Sequence, residues 1–180
     1  MNSARFIDYE LRPVKFTERK MLLNSLVNIC QFFKEDYEYI GFGGISFTDF
    51  KLFHKELNIN HMISIEGGNK THKNRVEFNK PYHFIKTVRG KSTDVLDTFD
   101  FDKKSIIWLD YDNQLDEFMF DDITHIFKKI KPGSVYIFTC NTTLAKDGNI
   151  YSKEEFIDQF GNYLNFDFEQ EELKLVGSGI

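Results

Sequence analysis

Cysteine is scarce in this chain of 180 residues: there are two, Cys30 and Cys140. Each sits in an apolar stretch, and neither has a partner at metal-binding spacing. A disulfide scaffold and a zinc site are therefore unsupported, and a reducing cytoplasm is the expected setting. Long apolar runs are also lacking. No segment approaches the roughly 20 apolar residues that a spanning helix requires. Met1-Asn-Ser-Ala-Arg-Phe6 leads into charged sequence with no apolar stretch of the signal-peptide kind. A soluble protein with no membrane partner is expected. An excess of positive charge is missing too: the net charge is −5, which argues against a general nucleic-acid binder held by phosphate contacts. Internal repeats and low-complexity linkers are likewise lacking.

What the chain does have is apolar and aromatic content, 41% and 16%, enough for one domain with a substantial core. Its twenty phenylalanines imply a core or crevice rich in flat apolar surface, with packing accounting for most of them. The charge is unevenly spread. Residues 70–91 carry Lys70, Lys73, Arg75, Lys80, Lys86, Arg89 and Lys91 against Glu77 alone. Residues 151–180 carry Lys153 and Lys174 against seven acids. The basic stretch could meet an anionic substrate, but a solvated face or an intramolecular partner for the acidic segment is the simpler reading.

Hydrophobic spacing and punctuation residues predict a helix from Thr17 to about Phe33, then a strand from Tyr37 to Ile40 that runs into Gly41-Phe42-Gly43-Gly44. A helix opening at Ser46-x-x-Asp49 should bury Phe50, Phe53 and Leu57. A second strand, His61 to Ile65, ends at Glu66-Gly67-Gly68. After a short helix near 74–79, a third strand is expected from Tyr82 to Val88, followed by a brief helix over 95–99. Ser105 to Leu109 gives the fourth strand, leading into Asp110-Tyr111-Asp112. A helix follows from Asp116 to Ile130 with Met119, Ile123, Ile126, Phe127 and Ile130 inward. The fifth strand is Val135 to Thr139. A last helix should start at the Ser152-x-x-Glu155 capping box and reach about Leu164, with a further strand at Leu173 to Val176.

Strands alternating with helices, and near-continuous apolar runs at 106–109 and 135–138, predict a doubly wound α/β Rossmann-like domain: a mostly parallel sheet with helices on both faces. Residues 1–36 would form an N-terminal segment and helix packed on the core, with 37–180 the Rossmann-like part of one domain. In such sheets ligands bind outside the carboxyl ends of the strands at the switch point, so Gly41 to Gly44, Glu66, Asp94 and Asp110 to Asp112 should converge. Glycines there let backbone and ligand approach. Glu66, at the end of the second strand, is placed to accept two hydrogen bonds from a ribose diol. By itself a strand-end glutamate is more often a solvated terminus; the two features in this order favour a nucleoside.

From the first glycine loop through Glu66, Asp94 and Asp110 to Lys131-Pro-Gly-Ser134, the chain resembles class I S-adenosylmethionine-dependent methyltransferases. Tyr9-Glu-Leu-Arg-Pro-Val-Lys-Phe-Thr-Glu-Arg-Lys-Met-Leu22, Gly43-Gly-Ile-Ser-Phe-Thr-Asp-Phe-Lys-Leu-Phe-His54 and Trp108-Leu-Asp-Tyr-Asp112 are similar to a bacterial family described as putative O-methyltransferases. The resemblance implies S-adenosylmethionine as cofactor, held by Gly41, Phe42, Gly43, Gly44, Glu66, Asp94, Asp110 and Tyr111. Asp110 and Asp112 would face the methyl acceptor, one as general base or orienting group; a cap or loop acid is an equal reading of Asp112. Arg12, Lys15 and Arg19 could clamp an anionic substrate, with ordinary surface charge the plainer alternative. Asp110, Asp112 and Asn113 offer the hard oxygens Mg²⁺ prefers, at a spacing that is not diagnostic, so no metal is assigned. His54, His61 and Trp108 read as packing.

The chain departs from the family pattern in three places. Tyr39 stands where the loop usually carries an acid, Ile45 stands where a third glycine is usual, and one candidate strand replaces the closing antiparallel hairpin. Two other readings follow. One is a non-catalytic binding or assembly module with a methyltransferase-like fold. The other is an NAD(P)-dependent oxidoreductase, since Gly41-x-Gly43-x-x-Ser46 approximates the dinucleotide fingerprint. Against the oxidoreductase stand the serine at the third position, Asp49 in the first helical turn where pyrophosphate would sit, and the Asp-Tyr-Asp after the fourth strand.

Overall fold

A computed structural model describes residues 13–67, 70–141, 145–146, 149–150 and 152–163. Its elements are α1 (Pro13–Phe33), β1 (Tyr37–Gly41), α2 (Thr48–Leu57), β2 (His61–Glu66), α3 (Lys70–Asn79), β3 (Ile85–Arg89), α4 (Ser92–Asp97), β4 (Lys104–Gln114), α5 (Glu117–Lys129), β5 (Val135–Asn141), the short pair β6 (Ala145–Lys146) and β7 (Asn149–Ile150), and α6 (Lys153–Phe160). The first five strands form one sheet in the order β3-β2-β1-β4-β5, every neighbouring pair parallel. The chain winds outward from β1 to β3, crosses back, and winds outward again from β4. The switch point therefore lies between β1 and β4.

Strand periodicity assigns the two faces. Tyr37, Tyr39, Met62, Ile85, Ile106 and Trp108 point one way and pack with Leu23 and Leu26 of α1, Phe50 and Phe53 of α2 and Val76 of α3. Ile40, Ile65, Ile107 and Leu109 point the other way, onto Val95 and Leu96 of α4 and Met119 and Ile126 of α5. Burial on both faces explains the lack of polar alternation in these strands. No helix among the described residues is long and apolar enough to cross a membrane.

Several expected boundaries move, each for a local reason. Thr17 lies inside α1, where its hydroxyl donates to the Pro13 carbonyl at 2.8 Å instead of capping the helix. The start of α2 is set by Phe47 in a left-handed conformation, with no side-chain cap. Asp49 is thereby free to turn inward. Tyr82 and Phe84 precede β3 instead of extending it, stacking at 5.1 Å against each other with His54 4.4 Å from Tyr82. On α5 the inward stripe is Met119, Asp122 and Ile126, while Phe127 is 61% exposed, one helical step off that stripe. The expected capping box of α6 forms: Ser152 Oγ accepts from the Glu155 N–H, and the Glu155 carboxylate accepts from the Ser152 N–H. The candidate strand at 173–176 lies outside the described residues.

The largest shift is in β4. It runs on through Gln114 instead of stopping at Leu109. Its pairing with β5 is regular to Asp110↔Thr139 and resumes only at Gln114↔Asn141. Four steps along β4 thus meet two along β5. The irregularity carries Tyr111, Asp112 and Asn113 at the carboxyl end of the sheet, where bulges re-aim side chains.

Candidate active site at the switch point

The site is built from the carboxyl ends of β1, β2 and β4. Parallel pairing puts Gly41 beside Ser64 on one side and beside Trp108 on the other. The loop after β1 folds back across the end of β2. A Cβ on Gly43 would lie 2.2 Å from Ser64 Oγ, and 2.7 Å from both Glu66 Oε1 and the Phe47 ring. Glycine at this position lets the loop close onto the β2 carboxylate. Glu66 is 5% exposed, and its Oε1 accepts from the Ser64 hydroxyl at 2.5 Å. A cavity of about 320 Å³ opens beside it, lined by Glu66, Val76, Glu77, Thr87 and Arg89. A carboxylate fixed at a strand end next to a cavity fits a diol-bearing nucleoside sugar better than a solvated terminus does.

A second cluster lies under Gly41. A Cβ on Gly41 would meet the Tyr39 hydroxyl at 2.6 Å and the Trp108 carbonyl at 3.0 Å. Asp49, from the first turn of α2, forms a buried ion pair with Arg19 of α1. The Arg19 guanidinium also lies over the Trp108 ring, 5.3 Å from its centroid. Trp108 Nε1 donates to Thr139 Oγ1 at 3.3 Å, and Thr139 donates in turn to Asp110 Oδ1 at 2.5 Å. Burial pushes the Asp49 carboxyl above its usual range; Arg19 pulls it back and Asp110 pushes it further up. Burial also holds the Tyr39 hydroxyl in its neutral form, with Asp49 adding to the effect.

The third component lies on the opposite face. The Tyr111 ring sits 5.2 Å from that of Phe42, and its hydroxyl donates to Asp122 Oδ2 at 2.5 Å. Thr93, at the start of α4, donates to Asp122 Oδ1 at 2.6 Å. Asp122 is fully buried. Burial and the bond to Asp122 push the Tyr111 hydroxyl well above its ordinary value. Replacing Tyr111 by phenylalanine leaves a buried carboxylate oxygen without this donor. We expect a loss of about 1–3 kcal/mol in urea denaturation.

Gly41, Phe42, Gly43, Glu66, Asp110 and Tyr111 thus meet at the carboxyl edge of β1, β2 and β4. Asp94 is exposed in the first turn of α4, and Asp112 is exposed in the β4 irregularity. Lys15 lies on the surface, 3.2 Å from Glu18. Arg19, by contrast, is 2% exposed and turned into the core, so surface charge does not describe it. Arg12 lies outside the described residues. Among the described residues no group of three or more His, Cys, Asp or Glu is placed to hold a metal ion. Sequence reasoning missed Ser64, Asp122, Thr139 and the Arg19–Asp49 pair. Ser64 had a signal: it is the polar residue two before Glu66 in an otherwise apolar strand, hence on the same face.

A parallel sheet in this order, with a glycine loop after β1, a held acid after β2 and an acid at the end of β4, defines a class I methyltransferase-like domain. The family model described as "Putative O-methyltransferase" matches residues 7–177, and the chain belongs to that family. Among solved structures, it is similar to the SAH-bound methyltransferase PaMTH1 of Podospora anserina at TM-score 0.50 and 8% identity. The match covers 77% of this chain and 64% of that one, less than two thirds of its length. It is also similar to a putative caffeoyl-CoA O-methyltransferase from Staphylococcus aureus at TM-score 0.49 and 13% identity, covering 88% of this chain and 73% of that one. At 8% identity the likeness to the first of these is one of fold. The comparison with curated proteins finds no match.

Proposed function

We propose that this protein is an S-adenosylmethionine-dependent O-methyltransferase whose cofactor lies across the carboxyl ends of β1, β2 and β4. The observation that carries the reading is Glu66: a buried carboxylate, fixed by Ser64 and pressed against Gly43, at the position where a ribose diol would be gripped. Family membership supports the same reading. Within the N-terminal part, 1–36, helix α1 packs on the Rossmann-like part through Leu23 and Leu26. Free Cys30 and Cys140 suit a reducing, cytoplasmic setting.

The cofactor, when bound, supplies a methyl group activated by a sulfonium. The protein's task is then to position donor and acceptor in line and to remove the acceptor proton. In this reading Gly41, Phe42, Gly43 and Gly44 wrap the cofactor, Glu66 orients its ribose and Asp94 flanks the adenine at the start of α4. Asp110, oriented by Thr139, borders the methyl-bearing end. Asp112, exposed in the β4 irregularity, takes the acceptor proton. Lys15, a surface residue in the first turn of α1, contributes to holding an anionic acceptor. The oxidoreductase reading is weakened by Ser46, which stands at the third position of the fingerprint where a glycine or alanine is needed for close helix–strand packing.

Calorimetric titration tests the reading. Wild type should bind S-adenosylmethionine saturably and show no binding of NAD(H), and Glu66→Ala should weaken cofactor affinity by about tenfold or more. Saturable NAD(H) binding with none for S-adenosylmethionine would overturn it. Cofactor binding without transfer across a broad panel of hydroxylated acceptors would leave a binding module.

A further inference from the structure

Helix α1 carries apolar side chains on both of its faces. Leu23 and Leu26 are turned onto the core, while Val14, Met21 and Phe32 are 82%, 67% and 79% exposed. Spacings of 7 and 11 residues bring these three to within about 20° of one line along the helix, so they form an outward stripe instead of standing singly. A helix that is apolar all round is normally covered all round. The same line holds both a hole and a knob. An open groove of about 680 Å³ is lined by Val14, Thr17, Glu18, Met21, Leu22 and Ser25. Phe32 stands beyond it, near the other end of the helix, with its ring set edge-on against Phe33 at 5.1 Å.

Groove and phenylalanine fit each other when two copies of α1 lie antiparallel. Seating Phe32 of one copy over the groove centre near Glu18 of the other puts the twofold axis at Ser25, midway between positions 18 and 32. A small side chain at that point lets the helices approach closely. Each copy then gives one knob and receives one, the self-complementary pattern a twofold axis requires. Charge favours the same direction. Helix α1 has no acid in its first turn and no base in its last, so its own side chains offset neither end of its dipole. Antiparallel pairing sets the positive end of one helix against the negative end of the other. Among the described residues Glu18 is the one charge lining the groove, and it stays about 21 Å from its copy along the axis.

We infer that the outer face of α1 is a self-association surface: its occupant is α1 of a second copy of this chain, related by a twofold axis through Ser25. A helix of 21 residues offers a strip of roughly 31 by 10 Å. That places the pair at the small, transient end of specific interfaces, under ~1,200 Å² in total. The inference does not rest on the cofactor reading, because the candidate site is built at the carboxyl ends of β1, β2 and β4.

Sedimentation of the full chain from about 5 to 500 µM, the range of a transient contact, tests the inference. The mass should rise from 21.3 kDa towards twice that value. Met21→Asp or Phe32→Asp should weaken association by about tenfold or more, since each puts a charge into the contact. Both side chains are exposed in the single copy, so folding is not at stake. Cross-linking fixes the direction. In a Cys30→Ser/Cys140→Ser background, Ser25→Cys should form an intermolecular disulfide under mild oxidation, because helix axes about 8–10 Å apart bring facing Cα atoms to roughly 3.5–5.5 Å. Val14→Cys should not, because its two copies would stand about 33 Å apart along the axis. Cross-linking at both positions would mean a parallel pair and overturn the arrangement. A wild type that stays monomeric overturns the inference; faster proteolysis within residues 1–12 of a monomeric Met21→Asp would then name that segment of the same chain as the occupant.

Discussion

Replacing Arg19 by methionine should destabilise the protein by about 3–5 kcal/mol, seen as a lower urea midpoint with an unchanged slope. The size follows from where the pair sits. Side-chain exposure is 2% for Arg19 and 12% for Asp49. An exposed ion pair would contribute under about 1 kcal/mol. Here, deletion of the guanidinium leaves a carboxylate in the apolar layer between α1, α2 and the sheet. It also strips the cation from the Trp108 face. Methionine keeps much of the apolar stem, so the loss reports the charge more than the volume. Lysine should recover only part of it, since a point charge reproduces neither the planar stacking nor the fork. The double variant with Asp49→Asn should regain much of the loss, because no buried charge is then left alone.

The same substitution should carry a pH signature. In wild type, burial already raises the Asp49 carboxyl above the ordinary carboxylate range, and Arg19 acts against that rise. Without Arg19 the raised value climbs further. A carboxyl raised in the folded state binds its proton more tightly there than in the unfolded chain. Stability therefore falls as pH rises from the unfolded value through the folded one. The deficit of the variant should be smaller at pH 5 than at pH 8. A deficit independent of pH would mean that lost packing, not an isolated charge, is responsible.

How much of this was legible beforehand depended on whether a feature was local. The alternation of elements, the glycine loop and Glu66 could be read because strand runs, turn residues and caps are encoded within a few positions. The capping box at Ser152 is of that kind. The end of β4 was not, because Asp110-Tyr111-Asp112 carries turn-like chemistry, and the pairings with β5 that flank it, Asp110 with Thr139 and Gln114 with Asn141, are not encoded locally. Nor was the inward turn of Asp122. A carboxylate in a buried helical stripe contradicts the hydrophobic pattern, and the donors that permit it come from residues 11 and 29 positions away. Arg19 and Asp49 are 30 positions apart. Each alone reads as a surface charge at a helix start, and only the packing of α1 on α2 brings them together.

Gly43→Ala should disrupt the site more than Gly44→Ala, although the two glycines are adjacent and belong to the same loop. The reasons for glycine differ. Gly44 has a φ of +56°, and nothing lies within 4 Å of where its Cβ would stand, so alanine there costs only the left-handed backbone, about 1–2 kcal/mol. Gly43 has no such backbone demand, but a methyl there would press on Ser64, Glu66 and the fully buried Phe47. Ser64 can rotate away only by giving up its bond to Glu66, and the Phe47 ring is packed against that of Phe50 at 5.4 Å. We expect Gly43→Ala to cost about 1–3 kcal/mol or more from overpacking. It should also weaken S-adenosylmethionine binding by about tenfold or more, because the carboxylate that must grip the ribose is displaced. Gly44→Ala should change affinity much less than it changes stability. Equal losses of affinity in the two variants would mean that the loop backbone, and not the seating of Glu66 against Gly43, governs binding.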